Sequence, residues 1–533
     1  MRPSTSMKAV GLVLAVLGAY PRFVPAAIVD TFIGPPGGNW TTQGNWSLNQ
    51  VPNSTAFDVL INTPGSSTSF SNFSTQLDAA ETVNNLSINA SSSLYMTANL
   101  SFAGTLTNAG SLYYFTNVLS GTLPTTAIVN SGTLEFSGTL SAGSIVNQNL
   151  ITSLFTVTDQ TMQIRGSVDN TGGTIEASAA FATGNPYGNL DLRGTITGGT
   201  VKLLATRASA INGGAIIGSN LSLSGATTLT LVSGSMNVTA PIFLQTLPYS
   251  FSIPTLETPT IVFNSTVPNS QNVGAILPTG TGSTVSEGGL IAIGANATLT
   301  ADQIVATNLT LGTNAALILR PHGGDTPATT YRAFSLGSNS LLDLGDNKLI
   351  VNSTVAKSTL IAQLGGQINS GRNGGNWLGK GISSSTVAAD QSATGSHHLT
   401  ISLFDNADLN LSTFGGQPAN TQSLFVAASL IADSNADNQI DAVDFDAWFN
   451  HQLASTSLAS RGDYNGDGIV NGLDFSLWFN AAGGLAQPLL DSRGLNAGAL
   501  AAVGGVPEPA SAALVLTVVP WLLARRRRRN VGA

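Results

Sequence analysis

The stretch DSNADNQIDAVDFDAWFN, residues 433–450, recurs 30 residues later as DYNGDGIVNGLDFSLWFN, residues 463–480. Each copy places oxygen-bearing side chains at loop positions 1, 3, 5, 9 and 12, and position 7 adds a backbone carbonyl. A hard cation such as Ca²⁺ takes about six to eight oxygens from a tightly turned loop of this kind. We therefore expect two Ca²⁺ ions, with solvated acidic turns as the alternative. The predicted ligands are Asp433, Asn435, Asp437, Gln439, Asp441 and Asp444 in the first copy, and Asp463, Asn465, Asp467, Ile469, Asn471 and Asp474 in the second.

The sixth position of each loop must turn the backbone sharply. Gly468 suits this position in the second copy, and Asn438 in the first copy is the next most tolerant residue for a left-handed backbone. Position 12 is Asp in both copies, whereas the usual residue there is Glu, which has a longer reach. We therefore expect both loops to form, with weaker calcium binding than Glu would give.

A helix-sized apolar stripe follows each loop. Its aromatic residues are spaced i, i+3, i+4, so each trio lies on one face of a helix. Aromatic residues at this spacing are usually core residues, and we expect both trios to pack in a core. The trios are Phe445, Trp448 and Phe449, then Phe475, Trp478 and Phe479.

This duplicated loop and helix, at residues 429–484, resembles a dockerin module. The resemblance implies two calcium ions, two helices related by a pseudo-twofold axis, and a docking surface for a partner such as a cohesin. Dockerins often carry a Ser-Thr pair at loop positions 10 and 11 that reads the partner. Here those positions hold Ala442-Val443 and Gly472-Leu473. The resemblance therefore supports calcium binding more strongly than it supports cohesin binding.

The chain as a whole, most of which is the stretch before the loops, residues 27–428, has a composition typical of β-structure. Only 9% of the 533 residues are charged, 58 are Gly, and 42% are hydrophobic. Such a chain is too apolar for disorder and too long for one ordinary core, so several domains or one long repeat array are expected. The sequence contains no Cys, which excludes disulfides and thiol catalysis.

A loose repeat runs through this body: an Asn, then small residues, then an aliphatic residue. It begins at Asn108, Asn130, Asn147 and Asn170, at intervals of 22, 17 and 23 residues. Short strands at this period, with Gly and Asn turns, are typical of the coils of a parallel β-helix, in which stacked Asn side chains satisfy one another. We therefore predict a mainly β fold with a parallel β-helix or solenoid body. An array of β-sandwiches is the structural alternative.

The body opens with two Gly-Asn-Trp tripeptides, at residues 38–40 and 44–46, followed by Val51-Pro52. This opening resembles that of secreted β-solenoid and autotransporter-like passenger proteins. An open solenoid end needs a bulky apolar cover, so we expect Trp40 and Trp46 to cap the first coil. Stacking on a sugar is the alternative role for these two residues.

Both ends of the chain carry targeting patterns. Residues 1–26 combine a basic start, a short apolar run and small residues, as a signal peptide does. At the other end, VPEP at 506–509 precedes an apolar run, 510–524, and five arginines, 525–529. This order resembles the PEP-CTERM sorting signal, which implies recognition by an exosortase, removal of residues 506–533 and export. A plain C-terminal membrane anchor is the alternative.

The sorting signal sets the expected surroundings of the mature chain. The membrane is touched only transiently, through the tail, and residues 485–505 are expected to be a linker. The order LGDNKLIV (344–351), GGNWLGKGISSS (374–385) and then the paired loops also resembles planctomycete-type secreted PEP-CTERM proteins.

Loss of residues 1–26 and 506–533 removes eight of the 20 basic residues and one of the 28 acidic residues. The mature chain would then have 12 basic and 27 acidic residues, a net charge of −15. Nucleic acid is therefore not an expected partner.

Catalytic patterns are scarce in this sequence. No nucleophile elbow, phosphate-binding loop or dinucleotide fingerprint occurs, and none of the histidines has metal-ligand spacing. Asp191, Arg193 and Lys202 on one β-helix face would mimic the groove of a polysaccharide lyase, but scattered surface charge is the simpler interpretation. The histidines are His322, His397, His398 and His451.

These observations favour a protein without enzymatic activity, with a structural or adhesive role. It would be exported to the cell envelope, the cell surface or the extracellular matrix. Its expected partners are a cohesin-like protein or an extracellular polysaccharide. The rival function is a β-helix polysaccharide-degrading enzyme, either a lyase or a glycoside hydrolase.

Overall fold

The computed structural model describes residues 26–503 except for 65–72, 122–124, 154–159, 179–187, 205, 207, 225–226, 239, 246, 249–255, 258–259, 264–269, 274, 279–288, 322–327, 354 and 394–397. Residues 1–25 of the predicted signal peptide and the predicted sorting tail, 506–533, lie outside the described residues. Within the described part, the predicted mainly β fold is confirmed. One sheet there contains 35 strands, nearly all of them parallel to their neighbours.

The parallel strands form three stacks, in which each strand pairs with the next strand of its own stack. Strands confined to the first stack are Ile28–Phe32, Phe57–Ile61, Asn85–Ile88, Thr105–Asn108, Ala127–Asn130, Thr195–Thr197, Ser270–Val273, Thr298–Ala301, Ala316–Leu319, Leu341–Asp343 and Gly381–Ser383. Those of the second stack are Gly38–Asn39, Thr75–Leu77, Ser93–Met96, Leu150–Ser153, Thr174–Ser178, Thr200–Leu204, Asn220–Ser224, Ile242–Gln245, Ala275–Pro278 and Lys348–Val351. Those of the third stack are Glu81–Val83, Leu100–Phe102, Gly188–Leu192, Thr260–Phe263 and Leu290–Ile293.

Longer strands pass from one stack into another. They are Ser111–Gly121, Thr133–Asn147, Gln160–Asp169, Ser209–Ile217, Thr228–Val238, Gln303–Leu311 and Thr329–Leu336. The chain thus returns to each stack beside its own earlier strand; Leu106 pairs with Ile128, and Ile128 with Ile145. This arrangement is consistent with a β-solenoid. A β-sandwich array, which would pair its strands mainly antiparallel, does not describe this sheet.

The Asn repeat follows the register of the strands. Asn108 pairs with Asn130, and Asn130 with Asn147. Each side-chain amide donates to the next Asn Oδ1, at 2.8 Å from Asn108 to Asn130, 2.8 Å from Asn130 to Asn147 and 2.7 Å from Asn147 to Asn170. All four residues are fully buried, and each amide also donates to a backbone carbonyl of a later strand. The ladder therefore satisfies buried amide groups that would otherwise destabilise an apolar interior, except for Asn108 Oδ1 at its first position, which has no hydrogen-bond partner among the described residues.

Aromatic residues cover the first coil. Trp40 and Trp46 are 0% and 1% exposed, and their rings lie 4.7 Å apart. Trp46 packs edge-on against Phe32 of the first strand at 5.3 Å, and its indole Nε1 donates to the Trp40 carbonyl at 2.7 Å. Both side chains therefore cap the first coil as predicted, and their burial leaves neither ring accessible for stacking on a sugar.

The other end of the parallel stacks is closed by antiparallel strands and helices. Leu424–Leu430 pairs antiparallel with Lys348–Val351 on one side and with Leu399–Asp405 on the other. The helices Lys357–Arg372, Ser385–Ser392 and Asn406–Leu409 lie in this region. Two short antiparallel pairs stand apart from the main sheet: Leu247–Pro248 with Leu256–Glu257, and Thr413–Phe414 with Gln417–Pro418.

Four helices follow: Ala442–Asn450, Gly472–Ala482, Ala486–Arg493 and Ala497–Ala501. Residues 485–505 were expected to be a linker, and the described part of this segment, up to residue 503, contains the last two of these helices. The last two helices bury Leu490 and Leu500 in the same core as Trp448 and Trp478. Among the described residues, no helix has both the length and the apolar character needed to span a membrane.

Candidate metal centre

The position 1 carboxylates are wrapped by their own loops. Asp433 accepts hydrogen bonds from the backbone N–H groups of Ala436 at 2.7 Å and Asn438 at 3.0 Å. Asp463 likewise accepts from the N–H of Gly468 at 2.9 Å. Asn438 and Gly468 have φ of 63° and 90°, the left-handed backbone that the sixth position was expected to need. Both loops therefore have the same turn.

The position 12 carboxylates join each loop to the helix that follows it. Asp444 accepts from the N–H groups of Ser434 and Asp441, both at 2.7 Å. In the second copy, Asp474 accepts from the N–H of Asn471 at 2.9 Å. Asp441 and Asn471, at position 9, in turn cap their helices through the N–H of the residue two positions later. Each helix therefore begins in a capping box that includes two predicted ligands.

Positions 3, 5 and 7 form the outer turn. The Asn435 amide donates to Asp437 at 2.8 Å, and the Asn465 amide donates to Asp467 at the same distance. The backbone N–H groups of position 7 donate to these same carboxylates: Gln439 to Asp437 at 2.8 Å and Ile469 to Asp467 at 2.9 Å. The predicted ligands of each loop are therefore linked to one another by hydrogen bonds within the loop.

The carboxylates at positions 1 and 12 are buried without a basic side chain beside them in the described part of the chain. Asp433, Asp444 and Asp474 are 0% exposed and Asp463 is 3% exposed, and no described Lys, Arg or His forms an ion pair with them. Burial and the nearby Asp474 carboxylate raise the pKa of Asp463 to about 7. Burial likewise raises the pKa of Asp444 and of Asp474 to about 6. Like charges are thus crowded in both loops.

The donors fit a hard cation in kind, because every predicted ligand is a carboxylate, amide or backbone oxygen. Within the described residues, however, no group of three or more His, Cys, Asp or Glu side chains is arranged to hold a metal ion. The oxygens of each loop instead accept hydrogen bonds from the loop's own N–H groups. The structure thus brings the predicted ligands into one turn but does not gather the carboxylates at one point.

The two copies interlock through their tryptophans. Trp448 Nε1 donates to the Asn471 carbonyl at 2.7 Å, and Trp478 Nε1 donates to the Asp441 carbonyl at 3.1 Å. Each indole thus holds position 9 of the other loop. The Tyr464 hydroxyl adds a hydrogen bond to the Asp444 carbonyl at 2.5 Å. Sequence reasoning missed Tyr464, although an aromatic residue within a polar loop is itself a signal of burial.

The aromatic core is confirmed for four of the six predicted residues, and Phe449 and Phe479 are partly buried at its edge. The four fully buried residues are Phe445, Trp448, Phe475 and Trp478, which are 0%, 0%, 2% and 1% exposed.

The second loop also contacts the body. The Arg372 guanidinium donates to the Asn465 carbonyl. Leu458, between the two copies, is buried in the core of the body. Beside these contacts is a cavity of about 30 Å³, lined in part by Ile368 and Asp463, which has room for about one water molecule. Sequence reasoning missed these contacts, because each residue is isolated in the sequence.

The residues considered for an enzymatic groove lie on different stacks. Asp191 is on Gly188–Leu192 of the third stack, whereas Lys202 is on Thr200–Leu204 of the second stack, 3.9 Å from Glu176. Burial acts to raise the pKa of Asp191, but hydrogen bonds from Asn212, Gln163 and Arg193 outweigh it and hold that pKa below its usual range. Of the histidines, His322 and His397 lie outside the described residues.

Comparison of the chain with protein-family models, with curated proteins and with solved structures finds no match. The function is therefore inferred from the residues and their geometry.

Proposed function

We propose that this chain is an exported structural or adhesive protein of the cell envelope or extracellular matrix, with a β-helical body and a calcium-binding, dockerin-like module at 429–484. The pair of matching loops carries the proposal, because each loop has two buried carboxylates with no ion pair to a basic side chain among the described residues. Burying an unpaired carboxylate costs on the order of several kcal/mol. A divalent cation in each loop would offset that cost.

In this proposal, the twelve predicted ligands hold two Ca²⁺ ions, which supply the positive charge that the loops lack. The chain's own residues prepare each loop. Asn438 and Gly468 make the turn. Asp444 and Asp474 fix the end of each loop to its helix, and the tryptophans hold the two loops against each other. Calcium binding and folding of the module are therefore expected to be linked.

The body supports a structural role. Its three stacks of parallel strands, its buried Asn ladder and its aromatic cap are features of an elongated β-helix that buries its core coil upon coil. Ser, Thr and Asn are common at the outward positions along the strands. Such a body can display or space a terminal module without chemistry of its own.

The expected partners are a cohesin-like protein or an extracellular polysaccharide, with an exosortase acting on the tail. Val443 and Leu473, at position 11 of the two loops, are 53% and 61% exposed. A protein partner would therefore meet an apolar pair there in place of the Ser-Thr pair of many dockerins. The tail itself, 506–533, lies outside the described residues.

Calcium titration of the purified chain tests the proposal. Isothermal calorimetry should count two ions per chain, with dissociation constants on the order of 10⁻⁴ to 10⁻³ M or tighter. Calcium should raise the melting temperature and shift tryptophan emission relative to chelator. The double variant Asp433→Ala/Asp463→Ala should lose this response, whereas Asp169→Ala, which removes one carboxylate from the body, should keep it. Identical melting and emission in chelator and in excess calcium would contradict the proposal.

A further inference from the structure

A hydrogen-bonded strip of polar side chains crosses the outer side of the third stack. Gln163 Nε2 and Asn212 Nδ2 both donate to the Asp191 carboxylate at 2.7 Å. Arg165 Nε donates to Gln163 Oε1 at 2.8 Å, and Arg193 Nε donates to Asp191 Oδ2 at 3.0 Å. The strip therefore fixes two guanidinium groups, each through its Nε.

These two arginines lie at consecutive levels of the third stack, Arg165 within strand Gln160–Asp169 and Arg193 directly after strand Gly188–Leu192. Ile164 pairs with Leu192, and the Arg193 N–H donates to the Ile164 carbonyl at 2.9 Å, which places Arg193 beside Arg165. Neighbouring strands are about 4.8 Å apart. Like charges opposite each other in a sheet repel. Among the described residues, Asp191 is the one acid that forms an ion pair with either arginine, so the strip carries an excess positive charge.

The outer ends of both guanidinium groups face solvent. Arg165 is exposed, and 47% of the Arg193 side chain is exposed. Within the described part of the chain, both arginines form their side-chain hydrogen bonds through Nε, which leaves the Nη donors free of described partners. Two oriented guanidinium groups with free Nη donors are suited to carboxylate recognition, because their fork matches the two oxygens.

Hydroxyl groups continue the same row along the stack. Ser101 pairs with Ser120, Ser120 with Ser141, and Ser141 with Arg165. Ser101 and Ser120 are partly exposed, whereas Ser141 is buried. The two partly exposed hydroxyls offer hydrogen bonds to neutral sugar hydroxyls, and the arginines offer charged contacts to an acidic substituent. The row runs from strand to strand, so an extended polymer would lie across successive coils.

We propose that this arginine strip, formed by Arg165, Arg193 and the hydrogen-bonded side chains of Gln163, Asp191 and Asn212, binds the carboxylate groups of an acidic polysaccharide. The choice of ligand rests on the proposed extracellular function. The site itself lies on the body and is independent of the calcium loops.

The test uses the purified full chain, kept in chelator so that the calcium loops do not contribute. Its binding to polygalacturonate is compared with binding to the fully methyl-esterified polymer, which keeps the sugar rings but lacks free carboxylates. Saturable binding of the acidic form alone is expected. Equal binding of both polymers would overturn the proposal, as would a galacturonate monomer that binds as tightly as the polymer, because the strip would then be a site for simple anions.

Matched variants separate the strip from net charge. Arg165→Gln/Arg193→Gln should weaken binding about tenfold or more. Lys202→Gln/Arg332→Gln makes the same charge change elsewhere on the body and should bind as the parent does. Equal losses in the two variants would overturn the proposal. If the first variant melts early, Arg165→Lys/Arg193→Lys decides: weaker binding supports recognition by guanidinium forks, and unchanged binding overturns it.

Discussion

The Arg372 guanidinium, at the end of helix Lys357–Arg372, donates a hydrogen bond to the Asn465 carbonyl in the second loop, 93 residues later in the chain. Other contacts reinforce this junction. Arg461, between the two copies, forms ion pairs with Asp408 at 3.0 Å and Asp405 at 3.5 Å. Gly365 allows the close approach, because a Cβ there would lie 2.8 Å from Ser457 Cβ. The paired loops are thus joined to the end of the body.

Arg372→Gln should destabilise this junction. The substitution removes a hydrogen bond whose donor, the Arg372 guanidinium, is charged, and such a bond is worth about 1.5–3 kcal/mol. The expected result is a lower melting temperature for the C-terminal helices, measured by near-ultraviolet circular dichroism of their tryptophans. Arg332→Gln, on a body strand, is the control and should leave that transition in place. An unchanged transition in Arg372→Gln would show that the contact carries no stability.

Asn130→Ala should destabilise the body. Asn130 is buried at the middle of the ladder, so its loss leaves the Asn108 amide without its Asn partner and removes the donor to Asn147. Leaving such buried groups unsatisfied costs about 1–3 kcal/mol. Denaturant unfolding followed by far-ultraviolet circular dichroism should show this loss. Asn149→Ala, at an exposed position of the same region, should change stability by much less, and equal effects would contradict a role for the ladder.

The sorting tail should be absent from the mature protein. The order of VPEP, apolar run and five arginines at 506–529 motivates this expectation. Mass spectrometry of protein isolated from the native host should find a C-terminus near residues 507–509. Recovery of peptides that contain the intact arginine cluster from surface-exposed protein would favour a plain membrane anchor.

The sequence predicted features that depend on local pattern and missed those that depend on register. The Asn repeat predicted parallel coils because the same residue type recurs once per coil, and Trp40 and Trp46 predicted a cap because bulky apolar residues stand out in a polar segment. The pairing of Arg165 with Arg193 depends on the register between coils of unequal length, which a loose repeat does not fix.

The helices within residues 485–503 were not predicted, for a related reason. The Gly and Ala content of this segment is typical of a linker, and short helices are marginal unless they pack against other structure. Leu490 and Leu500 give this segment its place in the helical core. That packing depends on the neighbouring aromatic helices, so the local sequence alone does not reveal it.

Asp463→Ala should weaken the response to calcium more than Asp433→Ala does. A ligand present at 100 times its dissociation constant stabilises a folded state by about 2.7 kcal/mol per site, so each loop has a measurable share of the calcium effect. Tyr464 joins the two loops, and Ala436 of the first loop packs against apolar residues of the body. The second loop in addition accepts a hydrogen bond from the Arg372 guanidinium of the body. Loss of calcium from the second loop therefore affects both contacts.

The measurement is the rise in melting temperature between chelator and saturating calcium, for the parent chain and both variants. Asp463→Ala should lose more than half of the rise and Asp433→Ala half or less, while Asp169→Ala keeps it all. The turn of the second loop also favours a larger effect of Asp463→Ala, because Gly468 takes its left-handed φ of 90° without the strain that Asn438 bears at 63°. Equal losses would mean that the loops act independently of the body, and a larger loss in Asp433→Ala would reverse the assignment of the dominant site.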